Sequence, residues 1–340
     1  MKIRYLGSNN THTEAVDRRR GFGAISHIEG IEVVCDMSFD LVFVGAGGDL
    51  ARALELKRRK PGTGLIFDYA NHYLEEETRL KAFLRPLLHS AQRGYAPYFR
   101  GYKALIMELM SLSDQVVCSS TYQKNYLDAL GIKASVITDI FDWEFDIPDQ
   151  IQEKPAHQFI WEGKAFNLDA LLKLDKVINT FPDIPLSVLT DEKFGGYGAT
   201  QTLGKSVEEE LNARFHNAFY FSWTSSVLKE ELARSTLGIL PINLGSSIGA
   251  AKPENRLILL WRFGVPALTS PLPSYKQLAD RTGVDFICTD DHAWIERIKA
   301  YTASSDRNLA RAQFLKDYAD AHYSSTVILD QWRSVLAAVG

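Results

Sequence analysis

Apolar and polar positions fall into two successive series along this chain. In the first half, short apolar runs cover Lys2 to Leu6, Ile31 to Cys35, Leu41 to Val44, Gly64 to Tyr69, Asp114 to Cys118 and Ala134 to Thr138. Runs of this length bounded by glycine or polar clusters predict strands. Stretches with helical spacing alternate with them: Asp49 to Arg59, two helices within 78–112 broken near Arg93 to Arg100, and Tyr122 to Leu130 ended by Gly131. The second half repeats the alternation. Strands are predicted over His157 to Trp161, Leu186 to Leu189, Ala218 to Phe221, Leu237 to Pro241, Val265 to Leu268 and Phe286 to Cys288. Helices are predicted over Leu168 to Asn179, Val207 to Arg214, Trp223 to Ala233, Asn255 to Phe263, Pro271 to Asp280 and Asp291 to Tyr301, with two more near 306–320 and 324–338. Asp191 to Ser206 is glycine-rich and reads as a loop.

Between the two series, Asp139 to Lys154 is acidic and aperiodic, with Pro148 inside it and Pro155 just beyond. Such a stretch reads as a crossing between domains. The predicted class is therefore α/β, with two Rossmann-like lobes. The predicted division is 1–145, 146–320, and a terminal helix over 321–340 whose Val327, Leu329, Trp332, Val335 and Leu336 form an apolar face. A chain of 340 residues accommodates two domains of about 150 residues each.

The stretch from Leu237 to Ser274 carries the strongest chemical signal. The strand ends at Pro241, and the small residues Gly245, Ser246, Ser247 and Gly249 follow, free to turn and to present amides to an anion. Pro253 is expected at the first helical position. Lys252 and Arg256 then stand at the helix start, where the dipole disfavours cations unless an anion joins them. The competing reading is that both are solvated surface residues.

In the first half, Asp68 ends a predicted strand and His72 follows it, positions that face a ligand crevice in open parallel sheets. The alternative is that Asp68 caps the next helix and His72 packs beneath it. Gly45 to Gly48 lacks a phosphate-loop lysine and reads as a tight turn. Tyr95, Tyr98, Phe99 and Tyr102 suit a core or a groove. Arg18 to Arg20 and Lys57 to Lys60 read as solvated faces.

Composition adds limits. The net charge is −4, so no overall basic surface points to nucleic acid or membrane. Three separated cysteines, Cys35, Cys118 and Cys288, in apolar runs read as buried reduced thiols of a cytoplasmic protein. The first residues lack the apolar core of a signal peptide, and no run reaches the ~18 apolar residues of a membrane span. Peripheral membrane contact stays open.

The residues KPENRLILLWRFGVPALTSPLPSYKQL from Lys252 onward resemble the donor half of GT-B glycosyltransferases. Phe159 to Lys164 resembles the strand and Gly-Lys turn opening that half, and Val116 to Leu127 resembles the last strand and helix of the acceptor half. The resemblance covers roughly residues 40–300. It implies a cleft between lobes and a final helix returning to the first. It also implies transfer from a UDP- or GDP-type nucleotide sugar, with no covalently held cofactor and no metal.

On this resemblance Lys164, Lys252, Arg256, Ser246 and Ser247 hold the donor diphosphate, and Gly163, Asn255, Thr190 and Trp223 hold the nucleotide. Asp68, His72 and Glu254 are the candidate catalytic groups. The sequence departs from the retaining pattern of paired glutamates, because Ala251 and Leu259 stand at those positions and only Glu254, displaced, offers a carboxylate. The Asn-Gly expected at the crossing is also absent, with only Asp142 matching. Retention and inversion stay open, as does the acceptor: a saccharide, lipid-linked saccharide, protein or modified nucleic-acid base. A nucleotide-sugar 2-epimerase-type isomerase and a non-catalytic two-lobed binding protein are the alternatives.

Overall fold

A computed structural model describes residues 1–9, 11–12, 14–75, 101–151, 154, 156–194, 204–245, 247–303 and 305–339. Ser246, Tyr95, Tyr98, Phe99 and the first of the two helices expected within 78–112 lie outside the described residues, as does most of the expected loop over 191–206. The chain divides into two compact units. The first comprises Met1–Glu144, Ala250–Asn255 and Tyr323–Gly340, and the second Phe145–Gly249 and Arg256–His322.

The first unit is built on a six-stranded parallel sheet in the order β2-β1-β3-β4-β5-β6. Its strands are β1 (Lys2–Leu6), β2 (Glu32–Val33), β3 (Leu41–Val44), β4 (Gly64–Tyr69), β5 (Gln115–Cys118) and β6 (Ala134–Val136). The central strand β3 is buried at every position, which is why its sequence, LVFV, is continuously apolar rather than alternating. Local signals set the helix starts. Asp49 caps the Leu50–Arg59 helix by accepting from the Arg52 amide, and Ser120 caps Thr121–Ala129. The C-terminal helix, Ser325–Ala337, contributes Ile328, Trp332, Val335 and Leu336 to the core of this same unit, where Trp332 meets Phe43.

The second unit carries a five-stranded parallel sheet in the order β11-β8-β7-β12-β13. Its strands are β7 (Phe159–Glu162), β8 (Leu186–Thr190), β11 (Ala218–Ser222), β12 (Leu237–Leu240) and β13 (Ala267–Thr269). A two-residue antiparallel pair, β9 (Lys193–Phe194) with β10 (Lys205–Ser206), occupies the described ends of the expected loop. Thr224 caps the Ser225–Arg234 helix and Asp290 caps Asp291–Thr302. Among the described residues, no helix is long and apolar enough to cross a membrane.

Several local expectations are corrected. The run 15–25, to which the sequence pattern assigns no element, is helical, as Ala15–Arg19 and Gly21–Ile25. Glycine is required at 23 because a Cβ there would lie 1.8 Å from the Arg18 carbonyl oxygen. Arg20 is not solvated but 1% exposed, and Arg18 and Arg19 both pair with Glu144. The second basic run does lie at the surface, as expected: Arg58, Arg59 and Lys60 are exposed, Arg58 and Arg59 in surface ion pairs with Glu108 and Glu55. Phe286 to Cys288 forms only a single bridge, Ile287 to Thr269. Cys35 is exposed, whereas Cys118 and Cys288 are buried. Pro253 precedes the helix, which begins at Asn255, and Ser247–Ala250 is a helical turn rather than loop.

Candidate functional site

In the second unit the chain starts at β7 in the middle of the sheet, builds outward to β8 and β11, then returns to add β12 and β13 on the other side. The topological switch point therefore lies between β7 and β12. Beyond the carboxyl ends of two such strands no crossover helix covers the sheet, and a crevice is left for ligand. The segments that leave these strands are Gly163-Lys164 and the small-residue stretch beginning at Asn243.

Arg256 closes this arrangement. Its Nη1 donates to the Glu162 carbonyl at 2.9 Å and lies 2.8 Å from where a Cβ on Gly163 would stand. A glycine at 163 thus makes room for a half-buried guanidinium at the strand end. Lys164 is exposed, and its Nζ pairs with Asp191 Oδ1 at 3.2 Å. Asp191 Oδ2 also accepts from the Ala165 amide, which ties the turns after β7 and β8 together. Thr190, at the end of β8, is fully buried; its Oγ1 has no hydrogen-bond partner among the described residues, and its carbonyl accepts from the Trp223 amide. Gly163, Lys164, Thr190, Trp223 and Arg256 therefore gather at one end of one sheet. Ser247 opens a helical turn of four residues in the same unit.

Lys252, Glu254 and Asn255 belong to the first unit instead. Side-chain hydrogen bonds hold the Ala250–Asn255 segment there. Ser120 Oγ donates to the Ala251 carbonyl at 2.8 Å, and Asn255 Nδ2 donates to Asp139 Oδ2 at 2.6 Å. Glu254 Oε1 accepts from Tyr323 OH at 3.1 Å and from Thr138 Oγ1 at 3.4 Å. The sequence offers Glu254 as a catalytic carboxylate and Asn255 as a nucleotide contact; in the structure both side chains hold this segment.

Asp68 is likewise engaged. Both oxygens accept from Arg20, Nε at 2.9 and 2.7 Å and Nη2 at 2.7 Å, with each residue 1% exposed. Arg20 Nη1 also donates to the Ile137 carbonyl. Burial pushes the Asp68 carboxyl up, and the Arg20 charge pulls it back. A carboxylate with both oxygens taken by one guanidinium is a structural ion pair, not a base open to substrate.

His72 packs edge-on against Tyr69, Tyr122 and Tyr126, and its Nε2 lies 3.0 Å from Glu75 Oε2. Burial holds the imidazole below its ordinary range, against the pull of Glu75.

The switch point of the first sheet falls between β1 and β3, not after β4. The loop after β1 contains His12, which sequence reasoning passed over. Its backbone is left-handed, at φ 54°, the sole non-glycine residue there among the described residues. Backbone strain of this kind is retained at working sites when neighbours enforce it. The ring stacks on Phe22 at 4.5 Å and meets Tyr5 edge-on at 4.9 Å. Its Nδ1 is buried, with no hydrogen-bond partner among the described residues, and burial lowers its pKa. Asp17, in the helix that follows this loop, accepts from Tyr5 OH and from the Ser8 amide. The available signal was the order of the strands, which the sequence does not carry locally.

No protein-family profile matches this chain, and no curated protein matches it in sequence. Solved structures do share its fold. An Anabaena Alr3699/HepE structure in complex with UDP matches with a TM-score of 0.63 at 10% identity, covering 99% of this chain and 100% of that one. A mutant of S. aureus TarM, in complex with Fondaparinux, alpha-GlcNAc-glycerol and UDP, matches at 0.57 and 11% identity over 87% of this chain. The chain spans about half the length of TarM, 55% of it. A trehalose-6-phosphate structure from E. coli bound with UDP-2-fluoro glucose matches at 0.55 and 12% identity, covering 87% and 73% of the two chains. At these identities the likeness is one of fold. The chain shares their GT-B fold, with two Rossmann-like lobes.

Proposed function

We propose that this protein transfers a sugar from a nucleotide-diphosphate sugar to an acceptor. The observation that carries the reading is the Arg256 guanidinium lodged over Gly163 at the switch point of the second sheet. A departing diphosphate gains charge as the sugar–oxygen bond breaks, and a fixed cation aimed at it stabilises the transition state more than the ground state. Arg256 and Lys164 serve the diphosphate in this reading, with Lys252 retained as a third cation from its place in the sequence. Ser246 and Ser247 are kept for the diphosphate from their place in the sequence, and Gly163, Thr190 and Trp223 flank the nucleoside. UDP is the first nucleotide to try, since structures of like fold hold UDP or a UDP sugar.

In this reaction the bond from the anomeric carbon to phosphate breaks, and a bond to an acceptor heteroatom forms. The nucleoside diphosphate leaves, and the acceptor's proton passes to a base. Asp68 and Glu254 are bound up in structural contacts, so His12 and His72 are the imidazoles proposed for that base. Side-chain cations take the role that a metal plays in other transferases. All three cysteines are free, which fits a reducing, cytoplasmic setting.

The test is incubation with a panel of UDP and GDP sugars, following release of nucleoside diphosphate and the stereochemistry of the sugar. Slow release of diphosphate supports the proposal. Epimerised sugar with the nucleotide still attached would replace it with an isomerase, and binding without turnover with a binding protein.

A further inference from the structure

Glu254 lies in a six-residue segment that the second unit's chain sends into the first unit and takes back. Each side of that segment is fastened by a different part of the first unit. Ser120, the cap of the Thr121–Ala129 helix just beyond β5, holds the Ala251 carbonyl, and both residues are buried. Asp139, just beyond β6, holds the Asn255 side-chain amide. Thr138 and Tyr323 hold Glu254 from two directions, Thr138 next to Asp139 in sequence and Tyr323 at the end of the Ser305–Tyr323 helix. Lys252 sits between the fastened positions. A carboxylate accepts several hydrogen bonds at once and gives charge-assisted, hence stronger, ones. A glutamate engaged by two hydroxyl donors is well suited to fixing a backbone and poorly suited to attacking or deprotonating a substrate.

We propose that Glu254 is a positioning residue: through Tyr323 and Thr138 it holds the Ala250–Asn255 segment in one place on the first unit, and so sets the place of Lys252. The proposal rests on the glycosyl-transfer reading for its kinetic consequence, but not for its structural one. The residue that sequence spacing puts nearest to a catalytic glutamate is, in this chain, a latch. Tyr323 is its other half, a hydroxyl brought from near the end of the chain.

The test compares wild-type protein with Glu254→Gln, Glu254→Ala, Tyr323→Phe and the Glu254→Ala/Tyr323→Phe double variant. Three readouts are needed: UDP release from UDP-glucose or whichever donor the wild type accepts, UDP binding by calorimetry, and amide exchange over peptides covering 247–256. Gln keeps the Oε1 acceptor, so Glu254→Gln should stay within about threefold of wild type in kcat/KM, whereas Tyr323→Phe should lose about tenfold, the size of one hydrogen bond, and Glu254→Ala, which removes two, at least as much. The double variant should be no worse than Glu254→Ala alone, since Tyr323→Phe removes a hydrogen bond that Glu254→Ala has already lost. Exchange over 247–256 should rise in Glu254→Ala and Tyr323→Phe and not in Glu254→Gln.

Unchanged exchange in both Glu254→Ala and Tyr323→Phe would overturn the latch. Glu254→Gln falling as far as Glu254→Ala in turnover, with exchange unchanged, would overturn it in favour of a catalytic carboxylate. If Glu254→Ala fails to fold, Tyr323→Phe decides by the same readouts. Wild-type protein that neither releases nor binds UDP would remove the glycosyl-transfer reading and the kinetic consequence with it, while exchange still decides the latch. Wild-type release of UDP with unaltered variants would remove the latch alone.

Discussion

The guanidinium of Arg256 stands where a side chain on residue 163 would project, its Nη1 2.8 Å from the ideal Cβ position of Gly163. Nothing else within 3 Å contests that space, and the contested atom is the end of a flexible side chain. Gly163→Ala should therefore leave the thermal midpoint nearly unchanged while it displaces Arg256 from the Glu162 carbonyl. Donor affinity, read by UDP titration, should fall. Unaltered UDP affinity in a well-folded Gly163→Ala protein would show that the placement of Arg256 is without functional weight.

Arg256→Ala should lower turnover by roughly 10²–10³, the loss seen when one oxyanion-type donor is removed. Arg256→Lys should also be impaired, since an ammonium cannot reproduce the guanidinium fork. Lys164 is exposed and shared with Asp191, so Lys164→Ala should cost less than Arg256→Ala. Lys252→Ala discriminates between its two readings: full turnover places it among solvated cations, and a loss comparable to that of Arg256→Ala places it on the diphosphate. Steady-state kinetics on all four variants checks the set.

Arg20 and Asp68 predict a stability effect, not a catalytic one. Removing one partner of a buried pair leaves an uncompensated charge and costs about 3–5 kcal/mol. Asp68→Asn should show a loss of this order in urea unfolding. If the variant unfolds like wild type but loses turnover, Asp68 would have to be returned to the catalytic groups.

His72 predicts a pH dependence with a definite sign. Burial lowers its folded-state pKa, whereas in the unfolded chain it titrates near 6.5. Below about 6.5 the unfolded chain takes up a proton that the folded chain resists, so stability falls as pH drops from there through the folded-state value. His12, lowered by burial as well, acts in the same direction. Thermal midpoints measured from pH 7.5 to pH 5 should fall more steeply in wild type than in His72→Phe, whose ring suits the tyrosine surroundings. Parallel profiles would mean that His72 does not resist protonation.

The thiols should separate by reactivity. Burial pushes Cys118 and Cys288 up to about 12, and Cys35 is exposed. The thiolate is the reactive form, so a disulfide reagent should label one thiol quickly in native protein and all three after denaturation. Removal of the fast phase by Cys35→Ser checks the assignment.

Much of the secondary structure was legible in the sequence because its causes are local. The apolar run of β3 is a strand buried on both faces, and Asp49, Ser120, Thr224 and Asp290 cap helices through hydrogen bonds reaching three residues along the chain. Two series of alternating strands and helices, separated by an aperiodic stretch, were enough to indicate two α/β lobes. Where local rules misled, a distant partner was the cause. Gly21-Phe22-Gly23 lies in a short helix whose glycines allow close approach to the Arg18 carbonyl and Phe43, partners that no local pattern shows. Arg20 sits among basic residues, yet Asp68, 48 positions away, draws it into the interior.

By itself the sequence determined the alternation of strands and helices and most helix caps; the chemistry read from Gly163, Lys164, Thr190, Trp223 and Arg256 is a proposal. Only the tertiary structure decided which of the candidates meet. The orders β11-β8-β7-β12-β13 and β2-β1-β3-β4-β5-β6 set the switch points, and strand order is a property of long-range pairing that no local pattern carries. That order brings Gly163 to Arg256 and puts the switch point beside His12 rather than beyond Asp68. Glu254, offered by the sequence as a catalytic carboxylate, is held by Thr138 and Tyr323, donors that lie 116 and 69 residues away in the chain.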